Sequence, residues 1–247
     1  MSTYKKKKTS IGTQNESSLH RKLKFQYAGP GGKTEVTSGA YIADGRRKDG
    51  EYIEVQTGSF GPLKTKVTEL TASGKVRIIH PIAVKKIIEV YGSADKKGKK
   101  NGSKNAKSKT GELLYRRKSP LKGSQWDIFD ALLSAPLLPL LSGLTIEIVL
   151  ADITEKRVKD GKGPWRRKGI SLFDRELAVW HGNILLKKPA DYLRFVPFKK
   201  KEAFTSALLA ERAGIDAATA RKALYVLTKM NIVKRTGKKG QFWVYTR

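Results

Sequence analysis

The chain has 247 residues, and 51 Lys plus Arg against 22 Asp plus Glu leave a formal charge of +29, an excess that calls for an anionic partner. Hydrophobic residues at 39% and aromatics at 9% suffice for a buried core, and the absence of cysteine excludes disulfide scaffolds, zinc fingers, iron–sulfur clusters and cysteine nucleophiles. The apolar stretch Ala131 to Leu150 is broken by Pro136, Pro139 and Ser142, and no apolar segment follows Lys5 to Lys8; no membrane helix or secretory signal is expected, and the expected address is the cytoplasm.

Residues 1–14 read as a disordered basic arm. From Asn15 to Tyr27 the spacing of Leu19, Leu23 and Tyr27 predicts an amphipathic helix, stopped by Gly29-Pro30-Gly31-Gly32. Three strands are expected at Thr34–Ser38, Ala40–Arg47 and Glu51–Thr57, then a helix at Gly61–Leu70 and a buried strand from Val76 to Ile82, ended at Pro81. This order of helix, three-stranded antiparallel meander, helix and strand makes residues 15–91 an α/β core. Residues 92–111 carry seven lysines and read as a Lys/Gly/Ser-rich flexible linker or loop. Residues 112–200 form a basic α+β middle region, with a helix at Gln125–Leu133, a strand at Leu144–Leu150 and a basic loop at Lys159–Gly169. In residues 201–247, helices at Thr205–Ala213 and Ala217–Met230 flank a turn with Asp216 as N-cap. Strands at Ile232–Thr236 and Gln241–Thr246 then bracket Gly237-Lys238-Lys239-Gly240, the pattern of a winged helix.

The first chemical constellation lies on the second and third strands. With Lys48-Asp49-Gly50 as a three-residue turn and Gly50 at positive φ, Arg47 pairs with Glu51 and Asp44 falls opposite Glu54. Cross-strand partners lie about 5 Å apart, close enough for two carboxylates to share one divalent ion.

Asp44, nine intervening residues and then Glu54-Val55-Gln56, within that element order, resemble the PD-(D/E)XK nuclease superfamily over about residues 15 to 90. The resemblance implies a restriction-endonuclease-like core in which Asp44 and Glu54 bind Mg2+ or Mn2+. It puts Gln56 at the position usually held by lysine and Glu16 at the carboxylate of the first helix. Isoleucine and alanine precede Asp44 where the family often has proline. Gln56 cannot supply a lysine's positive charge, and Lys64 or Lys66 on the next helix could reach in, with Lys64 taken as the electrostatic helper. The activity implied is metal-dependent hydrolysis of DNA phosphodiesters. Double-strand cleavage in this superfamily often takes two active sites, so a homodimer or a complex with other DNA-processing proteins is expected.

Candidate DNA contacts lie elsewhere. Ser59, in Gly58-Ser59-Phe60-Gly61-Pro62, precedes a helix start that could hold a phosphate, and a plain turn is the other reading. Trp165-Arg166-Arg167-Lys168 could stack on a base and pair with phosphates, or the tryptophan could pack back onto its own domain. On the last helix Arg221, Lys222 and Tyr225 suit a major groove, and Lys234, Arg235, Lys238 and Lys239 suit phosphates on duplex DNA. His20, His80 and His181 show no ligand spacing and read as structural. No nucleotide-binding glycine loop or serine elbow is present. Two alternatives stay open: a non-catalytic DNA-binding protein with a degenerate core, and an RNA-directed protein, because phosphate attraction does not separate the two nucleic acids.

Overall fold

Ser17 caps the first helix, α1 (Ser18–Ala28), by accepting the His20 N–H at 3.3 Å, and Gly29 ends it at φ +67. The computed structural model describes residues 16–93 and 110–247. Along α1, Leu19 and Leu23 recur at helical spacing and are buried, each burial contributing about 1.5–3 kcal/mol. The strands β1 (Lys33–Ser38), β2 (Tyr41–Arg46) and β3 (Tyr52–Val55) form an antiparallel meander. A short 3-10 turn at Gly61–Leu63 leads into α2 (Lys64–Ser73), and β4 (Val76–Ser93) returns parallel to β3.

Further along come β5 (Thr110–Lys118), a 3-10 turn at Gln125–Asp127, α3 (Ile128–Leu132), β6 (Leu144–Lys159) and β7 (Ile170–Leu186). The result is a mixed α/β fold whose seven-stranded, mostly antiparallel sheet runs β1-β2-β3-β4-β6-β7, with β5 also on β4. Tyr52 and Ile53 point to opposite faces of β3, and each face has its own core. Ile53, Val55, Ile79 and Val149 pack with Leu19, Leu23 and Tyr27 of α1, while Tyr52, Ile78 and Ile146 share a core with Val67 and Leu70 of α2.

The last elements are β8 (Phe204–Thr205), α4 (Ser206–Ala213), α5 (Ala217–Lys229), β9 (Lys234–Lys239) and β10 (Phe242–Thr246), the strands pairing in the order β8-β10-β9. Asp216 caps α5 as expected, accepting the Ala218 and Thr219 N–H groups at 2.8 and 3.0 Å.

Several expectations are corrected. Pro81 does not end its strand: β4 runs 18 residues. Between Ile79, where pairing with β3 stops, and Ile87, where pairing with β5 begins, one edge of β4 has no partner strand, which is where a residue without an N–H is tolerated. The middle region is not a separate body. β6 pairs with β4 from Val76↔Leu144 to Gly92↔Lys159, so strands from both expected regions build one sheet. The C-terminal segment has no core of its own either, since Leu209, Leu224 and Leu227 pack in the same cluster as Trp126, Phe129 and Phe195. The ends of the expected linker, Gly92, Ser93, Thr110 and Gly111, belong to strands β4 and β5; residues 94–109 and the expected basic arm lie outside the described residues. Finally, Gly237, Lys238 and Lys239 lie within β9, and the hairpin turns at Gly240, φ +60, and Gln241. Lys238 thereby faces Trp243, and Lys239 faces Phe242.

Candidate active site

The turn Lys48-Asp49-Gly50 closes with Gly50 N–H donating to Arg47 O at 3.0 Å and Gly50 at φ +91, and the Arg47 N–H donates to Glu51 O at 2.9 Å. The ladder continues through Arg46↔Tyr52 and Gly45↔Ile53, which sets Asp44 against Glu54. The two acids interlock through the backbone: Asp44 N–H donates to Glu54 Oε1 at 3.3 Å, and Val55 N–H donates to Asp44 Oδ2 at 2.8 Å. Each also meets a different helix. From α1, His20 Nε2 lies 3.1 Å from Asp44 Oδ2, and from α2, Lys66 Nζ donates to Glu54 Oε2 at 2.6 Å.

Their electrostatics differ. Burial pushes the Asp44 carboxyl up, but the bond and charge of His20 and the Val55 N–H outweigh it and hold the group below the ordinary aspartate range. Glu54 is only 2% exposed, and burial together with the Asp44 charge pushes its carboxyl up to about 7 against the pull of Lys66. A buried and a half-buried carboxylate with one lysine beside them lack positive charge, and hard oxygen donors of this kind fit Mg2+ or Mn2+. Among the described residues no group of three or more His, Cys, Asp or Glu side chains gathers as a metal cage, so an ion held here would rest on these two carboxylates with waters or substrate oxygens.

The other expected members sit differently. Glu16 precedes the cap Ser17 rather than lying on the helix; its carboxylate lies 2.8 Å from Lys24 Nζ and 3.5 Å from His20 Nε2, one side chain removed from Asp44. Gln56 turns its side chain to Ser59, donating from Nε2 to Ser59 O at 2.5 Å, while its backbone carbonyl lies 2.6 Å from His80 Nδ1. Lys64 is exposed, and Lys66, two residues on, holds the position beside Glu54. His20 was not legible as a site residue, because its contact with Asp44 depends on how α1 packs across the sheet. The one signal available was its i, i+4 relation to Glu16.

Of the expected DNA contacts, Ser59 Oγ pairs with Ser134 Oγ at 2.5 Å, and both hydroxyls accept the Gly61 N–H, so that amide is already satisfied. Trp165 is 83% exposed and does not pack back; Arg166 lies 5.5 Å from its ring, and Arg167 and Lys168 are exposed beside it. Lys222 is tied to Asp130 Oδ1 of α3 at 2.6 Å, which corrects its reading as a free groove contact. Arg221, Tyr225, Lys234, Arg235, Lys238 and Lys239 are exposed. Phe242 and Trp243, 49% and 42% exposed, are aromatics on the hairpin that the sequence reading passed over. Among the described residues no helix is long and apolar enough to cross a membrane.

No solved structure matches the chain. An uncharacterized protein of Treponema pallidum (strain Nichols) is 28% identical over 168 residues, which cover 68% of this chain and 61% of the relative, so the chain spans less than two thirds of that relative's length. A family model matches residues 17–187, a span that contains Asp44, Glu54 and Lys66 and stops short of the C-terminal helices and hairpin, and the chain belongs to that family, described as "Domain of unknown function (DUF8091)".

Proposed function

We propose that the chain is a metal-dependent DNA nuclease of the PD-(D/E)XK type, acting in the cytoplasm. The observation that carries this reading is the Asp44–Glu54 pair, set on adjacent strands of an α1-β1-β2-β3-α2-β4 unit and contacted from both helices. Asp44 and Glu54 are the residues to hold a magnesium or manganese ion, which supplies Lewis-acid stabilisation of phosphate charge and a more acidic water. Lys66 takes the role of positive charge beside the reacting phosphate that Gln56 cannot fill. His20 orients Asp44, and Glu16, through Lys24 and His20, steadies the start of α1.

The element order β8-α4-α5-β9-β10 supports a winged helix as the DNA-holding part, with Lys234, Arg235, Lys238 and Lys239 meeting phosphates and Trp165 to Lys168 adding a second basic contact. The partner is DNA, duplex in at least part of its length. Gln56 facing Ser59 favours a second reading, DNA binding by a core without activity. Incubation of duplex DNA with the protein and Mn2+ separates the two: the nuclease reading expects cleavage that Asp44→Asn abolishes, and DNA binding without cleavage by the wild-type protein refutes it.

A further inference from the structure

The C-terminal unit carries aromatic rings that are partly exposed beside cations. Tyr225 on α5 is 41% exposed and Trp243 on β10 is 42% exposed. Cations surround both: Arg235 Cζ lies 4.8 Å and Lys238 Nζ 4.6 Å from the Trp243 ring centre, and Lys229 Nζ lies 6.0 Å from that of Tyr225. A groove of about 460 Å³ is lined by Tyr225, Thr228, Lys229, Asn231 and Arg235. Arg235 belongs both to this groove and to the Trp243 cluster, so the two rings border one continuous surface. No residue from Lys234 to Thr246 is acidic.

The other end of α5 has the opposite character. Asp216 caps the helix, and Asp127 and Asp130 act with it on Lys222, whose amine is pushed up first by its bond to Asp130. Against these three carboxylates stand only Lys222, already paired with Asp130, and Arg221, which makes that end the less favourable one for phosphate. A nucleic acid is therefore directed toward the C-terminal half of α5 and the hairpin, where the free cations and the exposed rings lie together.

We propose that the surface formed by Tyr225, Arg235 and Trp243 binds unpaired bases of single-stranded DNA. The rings stack on base faces, and Lys229, Arg235 and Lys238 hold the neighbouring phosphates. Stacking accepts any base, because every base offers a π-face, and it requires bases freed from a duplex. A row of cations alone would suit duplex phosphates equally well; the exposed tryptophan and tyrosine are what select for unpaired bases. The inference rests on the reading of the chain as DNA-binding and names the form of the DNA: a duplex that passes into single strand, such as a fork, flap or frayed end.

The test is a set of anisotropy titrations of the full chain, without divalent metal and at one salt concentration, against labelled oligo-dT, a blunt duplex, a forked duplex and oligo-U. Wild type is expected to bind oligo-dT and the fork more tightly than the blunt duplex. Trp243→Ala and Tyr225→Ala should each lose about 10- to 100-fold on oligo-dT and the fork, with the blunt duplex changed less than about twofold and Trp243→Phe retaining most of the affinity. Quenching of tryptophan fluorescence by oligo-dT in wild type, reduced in Trp243→Phe, should accompany binding. Equal oligo-dT affinity in wild type and Trp243→Ala, or an equal loss on every DNA, overturns the proposal. Oligo-U bound more tightly than oligo-dT overturns the assignment to DNA. Blunt-duplex binding without preference for single strand refutes the stacking surface alone, whereas no binding to any DNA refutes the DNA-binding reading with it.

Discussion

Lys66 Nζ lies 2.6 Å from Glu54 Oε2, a contact that joins α2 to the carboxylate on β3. It supplies a cation beside a carboxylate that is followed two residues later by glutamine, just past the strand. Replacing Lys66 by alanine is expected to slow cleavage by about 10²–10³, the usual effect of losing one preorganised charge at a reacting centre. Lys64→Ala should leave the rate near that of wild type, since its side chain is exposed. Single-turnover rates on saturating DNA distinguish the two lysines, and equal losses would remove the distinction.

His20 Nε2 of α1 lies 3.1 Å from Asp44 Oδ2, while Lys66 of α2 contacts Glu54. Groups that orient a metal ligand typically contribute 10- to 100-fold in metal affinity or activity. His20→Ala is expected to lower Mn2+ affinity by about that factor, with His20→Gln recovering part of it through the retained hydrogen bond. Calorimetric Mn2+ titrations of the two variants check this, and wild-type affinity in His20→Ala would reduce the histidine to a helix-packing residue.

His80 gives the fold an acid sensitivity of its own. The ring is 6% exposed, packs edge-on against Phe60 at 5.2 Å, and burial lowers its pKa to about 4. Above pH 6.5 both native and unfolded chains hold it neutral, so it contributes no pH dependence. Below 6.5 the unfolded chain takes up a proton that the native chain refuses until about pH 4. The His80 contribution to native stability is therefore expected to fall by about 3 kcal/mol as pH drops through that window, while Glu54, raised to about 7, acts in the opposite sense, so the effect is read as a wild-type minus His80→Gln difference that shrinks as pH falls. Urea unfolding at pH 7, 5.5 and 4.5 measures it. Glu155, held down at about 2 by Arg157, Lys86 and Arg175 against its burial, acts in a lower window, where stability is lost between pH 4.5 and 2.

Removing residues 203–247 should do more than weaken DNA binding. Leu209, Leu224 and Leu227 share one core with Phe129 and Phe195, so truncation exposes that core. The shortened chain is expected to lose cooperative unfolding, and a sharp transition with the wild-type midpoint would show that the sheet unit is independent.

Where the sequence was readable, one local pattern decided the outcome. The positive-φ Gly50 and the three-residue turn set the register, and the register set Asp44 against Glu54. Asp216 ahead of an apolar-striped helix marked α5 in the same way. What stayed hidden was non-local. β7 lies at the sheet edge with both faces half-exposed, so no alternation of apolar and polar residues announced it. Pro81 read as a terminator because the gap between β3 and β5 along β4 exists only in three dimensions. The sequence offers both Lys64 and Lys66 as the cation that reaches in, but the choice of Lys66, like the approach of His20, depends on how the helices pack through Leu23 and Val67, and spacing along the chain carries no record of that.

The central claim is that Asp44 and Glu54 hold the ion for phosphodiester cleavage, and a plasmid assay tests it most directly. Supercoiled DNA is incubated with wild type, Asp44→Asn and Glu54→Gln, each with Mg2+, with Mn2+ and with chelator, after equal binding of a labelled duplex in chelator has been verified. Nicked or linear product from wild type with metal, and none from either variant or in chelator, is the expected result. Cleavage by Asp44→Asn at the wild-type rate, or no cleavage by wild type with either metal on plasmid or single strands, would contradict it.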